Sequence, residues 1–185
     1  MGKSVMILAA SVLFVLQAEA AQLGYVEIAG SACQASVGTH ELTEVGQNRY
    51  LIPNSIYVKK EEDKKVARGA CTFAVTLQAA AGKKIIVANS HQLTSLRAYP
   101  SQTKARVDLE LFKAGEQGER QVVETESTDR TSRISKSLQQ AAILETECGG
   151  SAILRGNLAA TLIGTGKARA YTRSLYLDIV EVDCN

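Results

Sequence analysis

The chain has 185 residues, a length that suits one domain or at most two small ones. With 45% hydrophobic and 22% charged residues it is too apolar for a chain that must stay disordered. Its 21 basic and 19 acidic side chains leave a net charge of +2, so it lacks the strongly basic footprint of a dedicated nucleic-acid binder, and no nucleic-acid partner is expected.

Residues 1–20 have the form of a secretory signal peptide. Lys3 gives the positive start, Val5 to Leu16 is a nearly continuous apolar run, and Ala18-Glu19-Ala20 is a small-x-small cleavage signal. The run is shorter than the ~20 apolar residues of a membrane-spanning helix, so no retained transmembrane segment is expected. The mature chain, 21–185, is expected to be one exported domain, secreted or periplasmic after the leader is removed.

Strands are predicted at 39–45 and 49–58, with Gly46-Gln47-Asn48 as the turn between them. The run from Lys59 to Lys65 has nearly cancelling charges and reads as an exposed loop near a sheet edge. From Cys71 to Ala79, Phe73, Val75 and Leu77 alternate with Thr72, Ala74, Thr76 and Gln78. Period two marks a strand with one wet face. Further strands are predicted at 84–88, 92–99 and 120–126. Between them Lys104 to Leu111 alternates most clearly, with Val107, Leu109 and Leu111 on one side. Gly115 to Arg120 reads as a turn. Ile134, Leu138, Ala141 and Ala142 have helical spacing, which predicts a short helix or a broad crossover loop within 127–147. Strands at 152–163 and 168–173 flank a turn at Gly164–Lys167, and Leu175, Leu177 and Ile179 form a last stripe. Many short strands without alternating long helices predict an all-β, antiparallel sandwich. Phe73, Val75, Leu77, Val107, Leu109, Leu111, Leu175 and Leu177 are its expected core.

Four cysteines, Cys33, Cys71, Cys148 and Cys184, follow the leader. An even number in an oxidising compartment predicts two structural disulfides stapling the sandwich. Three pairings exist. Cys71–Cys148 with Cys33–Cys184 is favoured here, because the ends of a compact domain tend to lie close together. The close Cys-x₂₋₄-Cys spacing of a zinc site is missing, as is Cys-x-x-Cys.

Gly30-Ser31-Ala32-Cys33 followed by Gly38-Thr39, Cys71 opening an apolar strand, and the later Cys148-Gly149-Gly150 together resemble a family of small secreted proteins, domain of unknown function 4360. The resemblance spans most of residues 25–183. Ala32 and Gln34 stand where that family has Gly and Pro. It implies secretion and an all-β domain, and it brings no catalytic residue, cofactor or ligand.

Chemistry-bearing motifs are sparse, and no catalytic, cofactor-binding or metal site is assigned. Cys148-Gly149-Gly150-Ser151 lacks the Gly-x-Ser-x-Gly elbow, and Gly164-Thr165-Gly166-Lys167 lacks the complete phosphate-loop pattern. His40, Glu41 and Glu44 are a loose metal cluster. On one strand His40 and Glu44 would share a face. Arg97, Tyr99, Arg106, Arg169, Tyr171, Arg173 and Tyr176 are residue types favoured at interfaces. Among them Arg169, Tyr171 and Arg173 would line one face of a strand and form the candidate interaction face. The leading reading is a non-catalytic binding or surface-associated module for a protein or polymer. An exported hydrolase using His40 or His91 with nearby carboxylates is one alternative. A structural envelope or extracellular component is the other.

Overall fold

A computed structural model describes residues 22–35 and 37–184. The predicted leader lies outside the described residues. Among the described residues, thirteen strands build two antiparallel sheets. Sheet 1 holds β1 (Gln22–Ala29), β2 (Gly38–His40), β6 (Val66–Gln78), β8 (Thr103–Lys113), β9 (Glu119–Ser127) and β11 (Ser151–Ile163), in the order β2-β1-β6-β11-β8-β9. Sheet 2 holds β3 (Thr43–Gly46), β4 (Arg49–Ile52), β5 (Tyr57–Lys60), β7 (Lys83–Ala98), β10 (Ser132–Glu145), β12 (Ala168–Thr172) and β13 (Leu175–Asp183). The long β7 is its axis. β10 pairs with β7 from Ile86 to Ala98, while β13 and then β12 pair with β7 in succession.

The period-two stripes decide which side of each strand is dry. Val26, Phe73, Val75, Leu77, Val107, Leu109, Leu111, Leu154 and Leu158 of sheet 1 are buried. They join Ile52, Ile85, Val87, Leu96, Leu175, Leu177 and Ile179 of sheet 2 in one hydrophobic cluster. All eight expected core residues are buried. Burying a Val, Leu, Ile or Phe side chain is worth roughly 1.5–3 kcal/mol, so this cluster is the main force holding the sheets face to face.

Several elements differ from expectation. Residues 39–45 are not one strand: β2 lies in sheet 1 and β3 in sheet 2, so the chain crosses between sheets at Glu41 and Leu42. Conversely, 84–88 and 92–99 merge into the continuous β7. The helix or crossover expected within 127–147 is strand β10. A spacing of four satisfies period two as well as period 3.6, so Ile134 and Leu138 share a strand face. A bulge between Ala141 and Leu144, with Ala142 at φ 50°, then changes the phase and buries Ile143 and Leu144. Within the charged run, Lys60 is fully buried at the end of β5. Its ammonium donates to the carbonyls of Glu61 (3.2 Å) and Lys64 (2.8 Å) and so clasps the following loop.

The disulfides are Cys33–Cys71 and Cys148–Cys184, which corrects the expected pairing. β1 pairs with β6, so the chain leaving β1 passes beside Cys71, and Cys33 sits there with a Cα–Cα distance of 4.9 Å. Cys148 and Cys184 follow β10 and β13, whose ends pair with residues 83–86 of β7, and their Cα atoms are 6.0 Å apart. The sequence separations are 38 and 36 residues. Loops of that size correspond to about 4 kcal/mol each in the chain-entropy model.

Candidate interaction face

Alternation that buries Val58, Leu96, Ala98 and Ala170 must turn their neighbours outward. Strand register then aligns the outward residues of four strands. Lys59 of β5 lies opposite Arg169 of β12, Arg169 opposite Arg97 of β7, and Arg97 opposite Arg133 of β10. The next outward row is Tyr57, Tyr171, Ser95 and Ser135. Neighbouring strands lie about 4.8 Å apart, so the cationic row extends ~14 Å across the sheet.

The charges in this row are poorly neutralised. Lys59 pairs with Glu61, whose carboxyl is held below its usual range. The hydrogen bond from Lys59 is the main cause. Burial opposes it, and the charges of Lys59, Lys167 and Arg169 add to it. Among the described residues, Arg97, Arg133, Arg169 and Arg173 have no carboxylate within 4.0 Å. Arg97 instead lies over the ring of Tyr99, 4.6 Å from its centroid. Like charges directly opposite one another destabilise a sheet, so fold stability does not account for the row.

Apolar surface adjoins the cations. Tyr57, Leu93, Tyr171 and Tyr176 are all exposed on this side, Tyr171 to 43%. Arg173 lies just beyond β12, and its backbone N–H donates to the carbonyl of Leu93 (2.9 Å). From inside the sandwich the buried Gln92 amide donates to the carbonyls of Arg173 (3.0 Å) and Asn54 (2.6 Å). Gln92 thereby fixes the segment between β12 and β13 that carries Arg173.

The structure brings Arg169, Tyr171 and Arg173 to one exposed face, with Tyr176 and the half-buried Arg97 beside them. Arg106 does not belong to it. It lies in sheet 1, forked onto Asp108 with its closest contact at 2.6 Å. Tyr57, Lys59 and Arg133 were not singled out from the sequence. The alternations Tyr57-Val58-Lys59 and Arg133-Ile134-Ser135 carry a usable signal, but the charged run around Lys59 and the helical spacing around Ile134 mask it.

The histidines stand apart. His40 is in β2 of sheet 1 and His91 in β7 of sheet 2, so Glu44, in β3, does not share a strand face with His40. His91 Nε2 is 3.8 Å from Asp178, which Arg49 holds from the other side at 2.7 Å. The Asp178 carboxyl is pushed below its usual range chiefly by the Arg49 hydrogen bond. Burial opposes this, and the charges of Arg49 and His91 support it. No group of three or more metal-ligating side chains occurs among the described residues.

No protein-family model matches the chain, and no curated protein matches it. Among solved structures, TmCBM61 in complex with β-1,4-galactotriose is 9% identical, over 89% of this chain and 88% of its own, with a TM-score of 0.28. A family 16 carbohydrate-binding module is 14% identical, over 77% and 90%, with a TM-score of 0.31. A CocE/NonD family hydrolase from Staphylococcus aureus is 7% identical, over 93% and 38%, with a TM-score of 0.32. Superpositions this loose transfer no ligand and no residue role, and the interaction face rests on its own geometry.

Proposed function

We propose that this protein is a non-catalytic binding module that holds an anionic surface polymer against the outer face of sheet 2. The observation that carries this reading is the register-aligned row Lys59, Arg169, Arg97 and Arg133, in which the three arginines have no carboxylate partner among the described residues. Planar guanidinium forks match carboxylate and phosphate oxygens, and a bound polyanion would relieve the repulsion along the row. A row crossing four strands suits an extended chain better than a compact ligand. Tyr57 and Tyr171, next to the row, would pack against the non-ionic parts of that chain. Export by the 1–20 leader would place the face outside the cytoplasm, where both disulfides persist.

The test is binding of the oxidised protein to polygalacturonate, with dextran as the neutral comparison, at several salt concentrations. Binding to polygalacturonate should weaken as salt rises, because salt screens exposed charge. Arg133→Ser with Arg169→Ser should lower affinity about tenfold per arginine, since a hydrogen bond to a charged group contributes roughly 1.5 kcal/mol. The melting temperature should hold or rise. Equal binding by the double variant, or salt-independent binding, would refute the reading.

A further inference from the structure

The opposite outer face, on sheet 1, has a different shape and a different charge. Its middle strands present small side chains outward: Ala70, Thr72 and Ala74 on β6, and Asn157 and Ala159 on β11. Larger residues rise on both sides, with Glu27 on β1 and Phe112, Glu110 and Arg120 on β8 and β9. The result is a groove of ≈ 540 Å³ whose lining includes Glu27, Thr39, Thr72, Phe112, Arg155 and Asn157. A second depression of ≈ 190 Å³, lined by Asp108, Glu110, Arg120, Asn157 and Ala159, shares Asn157 with it. The two depressions adjoin at Asn157, and the pair, here the trough, lies across the strands of sheet 1.

Register arranges the lining in two rows. The first is Glu27, Ala74, Arg155 and Phe112. The second is Ala29, Thr72, Asn157, Glu110 and Arg120. Asp108 is already satisfied by the Arg106 fork. Glu27, Glu110, Arg120, Arg155 and Asn157 make no side-chain hydrogen bond or ion pair with other described residues. Two free carboxylates face two free guanidiniums, so the trough has no net charge to offer a polyanion. It does have strong donors, strong acceptors and an amide that does both, beside a phenyl ring and a floor of methyl groups. Its volume falls in the range of small-ligand sites.

We propose that this trough is a second binding site, for a neutral oligosaccharide. A sugar ring carries hydroxyls that both donate and accept, and C–H faces that pack on apolar surface. The lining of Arg155, Asn157 and Glu27 around Phe112 complements both. A peptide fits less well. The floor of the trough lies on β6, β11 and β8, inner strands whose backbone ladders are already paired, so strand addition finds no free edge along the floor. The site is independent of the cationic face, and either can fail without the other.

The experiment adds laminarin, galactan or pullulan to the isotopically labelled, oxidised protein and follows backbone amide shifts. At least one of these polysaccharides should shift amides of Thr72, Ala74 and Arg155 to Asn157. Arg155→Gln with Asn157→Ala should weaken that binding about tenfold or more, as expected when charged and amide hydrogen bonds are lost. Arg133→Ser with Arg169→Ser should leave it unchanged. The proposal is overturned if none of the three polysaccharides shifts those amides, if the shifts fall on β5, β12 and β10, or if the trough variant binds like the parent. A folded variant is verified by an unchanged amide spectrum away from the trough.

Discussion

Gly156 should be the least replaceable residue of β11. It lies between Arg155 and Asn157, faces inward, and pairs with Phe73 of β6. A Cβ built on it would lie 2.1 Å from Phe73 Cε1, 2.5 Å from Cζ and 2.8 Å from Cδ1. Comfortable carbon contacts are ~3.5–4.0 Å, so the ring would have to retreat by over an ångström. Phe73 is only 3% exposed and belongs to the core between the sheets. Overpacking of this kind costs roughly 1–3 kcal/mol, and the closeness of the clash puts Gly156→Ala at the upper end. For a domain of this size that is a fall of about 6–12 °C in the melting temperature. The assay is thermal unfolding with both disulfides intact, run as a cycle with Phe73→Leu. The smaller side chain should make room, so the double variant should lose less than the sum of the singles by about 1 kcal/mol or more. If Gly156→Ala melts with the parent, or the two effects simply add, the reasoning is wrong. The same displacement would tilt β11, so the variant should also weaken any ligand held by Arg155 and Asn157.

Two further outcomes follow from single contacts. Lys60→Met should cost about 2 kcal/mol in denaturant unfolding and speed proteolysis within 61–65, because the buried ammonium holds two carbonyls of that loop; an equally stable variant would mean the buried charge contributes nothing net. Asp178 has a depressed folded-state pKa, so its pairing with Arg49 stabilises the fold above the ordinary carboxylate range and is lost as pH falls through the depressed value. Unfolding of the parent and of Asp178→Asn should therefore differ slightly at neutral pH and low salt and converge in acid, and a gap that persists in acid would contradict the assignment.

The alternation of Phe73, Val75 and Leu77, and of Val107, Leu109 and Leu111, was legible because it reports the water-to-core gradient across one strand. Strand partners were not, since pairing depends on residues far apart in the chain. Residues 39–45 show the limit. Their composition suits a strand, yet the chain changes sheets within them, and so His40 and Glu44 part company. Ile134 and Leu138 show another: a four-residue spacing cannot separate helix from strand, and the bulge at Ala141/Leu144 erases the later alternation. The cysteine pairing failed for a related reason. Proximity of chain ends is a weak guide, whereas β1 lying on β6 is decisive for Cys33 and Cys71.

The candidate face was legible only where it was local. Arg169, Tyr171 and Arg173 sit at alternate positions in one short stretch, so their common direction could be read directly. Lys59, Arg97 and Arg133 join them only because β5, β7 and β10 assemble around β12 in one particular register. That register is set by the inward residues. Val58, Leu96 and Ala170 must all face the core, and a slip of one residue would turn every one of them into water. The hydrophobic pattern therefore fixes the cationic row without any of its members contributing to the core. The outward positions of sheet 1 are released from packing in the same way, and there the small residues of β6 and β11 leave a trough where sheet 2 presents a ridge of long side chains. One inner alternation thus supports two outer surfaces of independent chemistry, which is why core variants such as Gly156→Ala should disturb the trough through β11 while surface variants at Arg133 and Arg169 leave the fold intact.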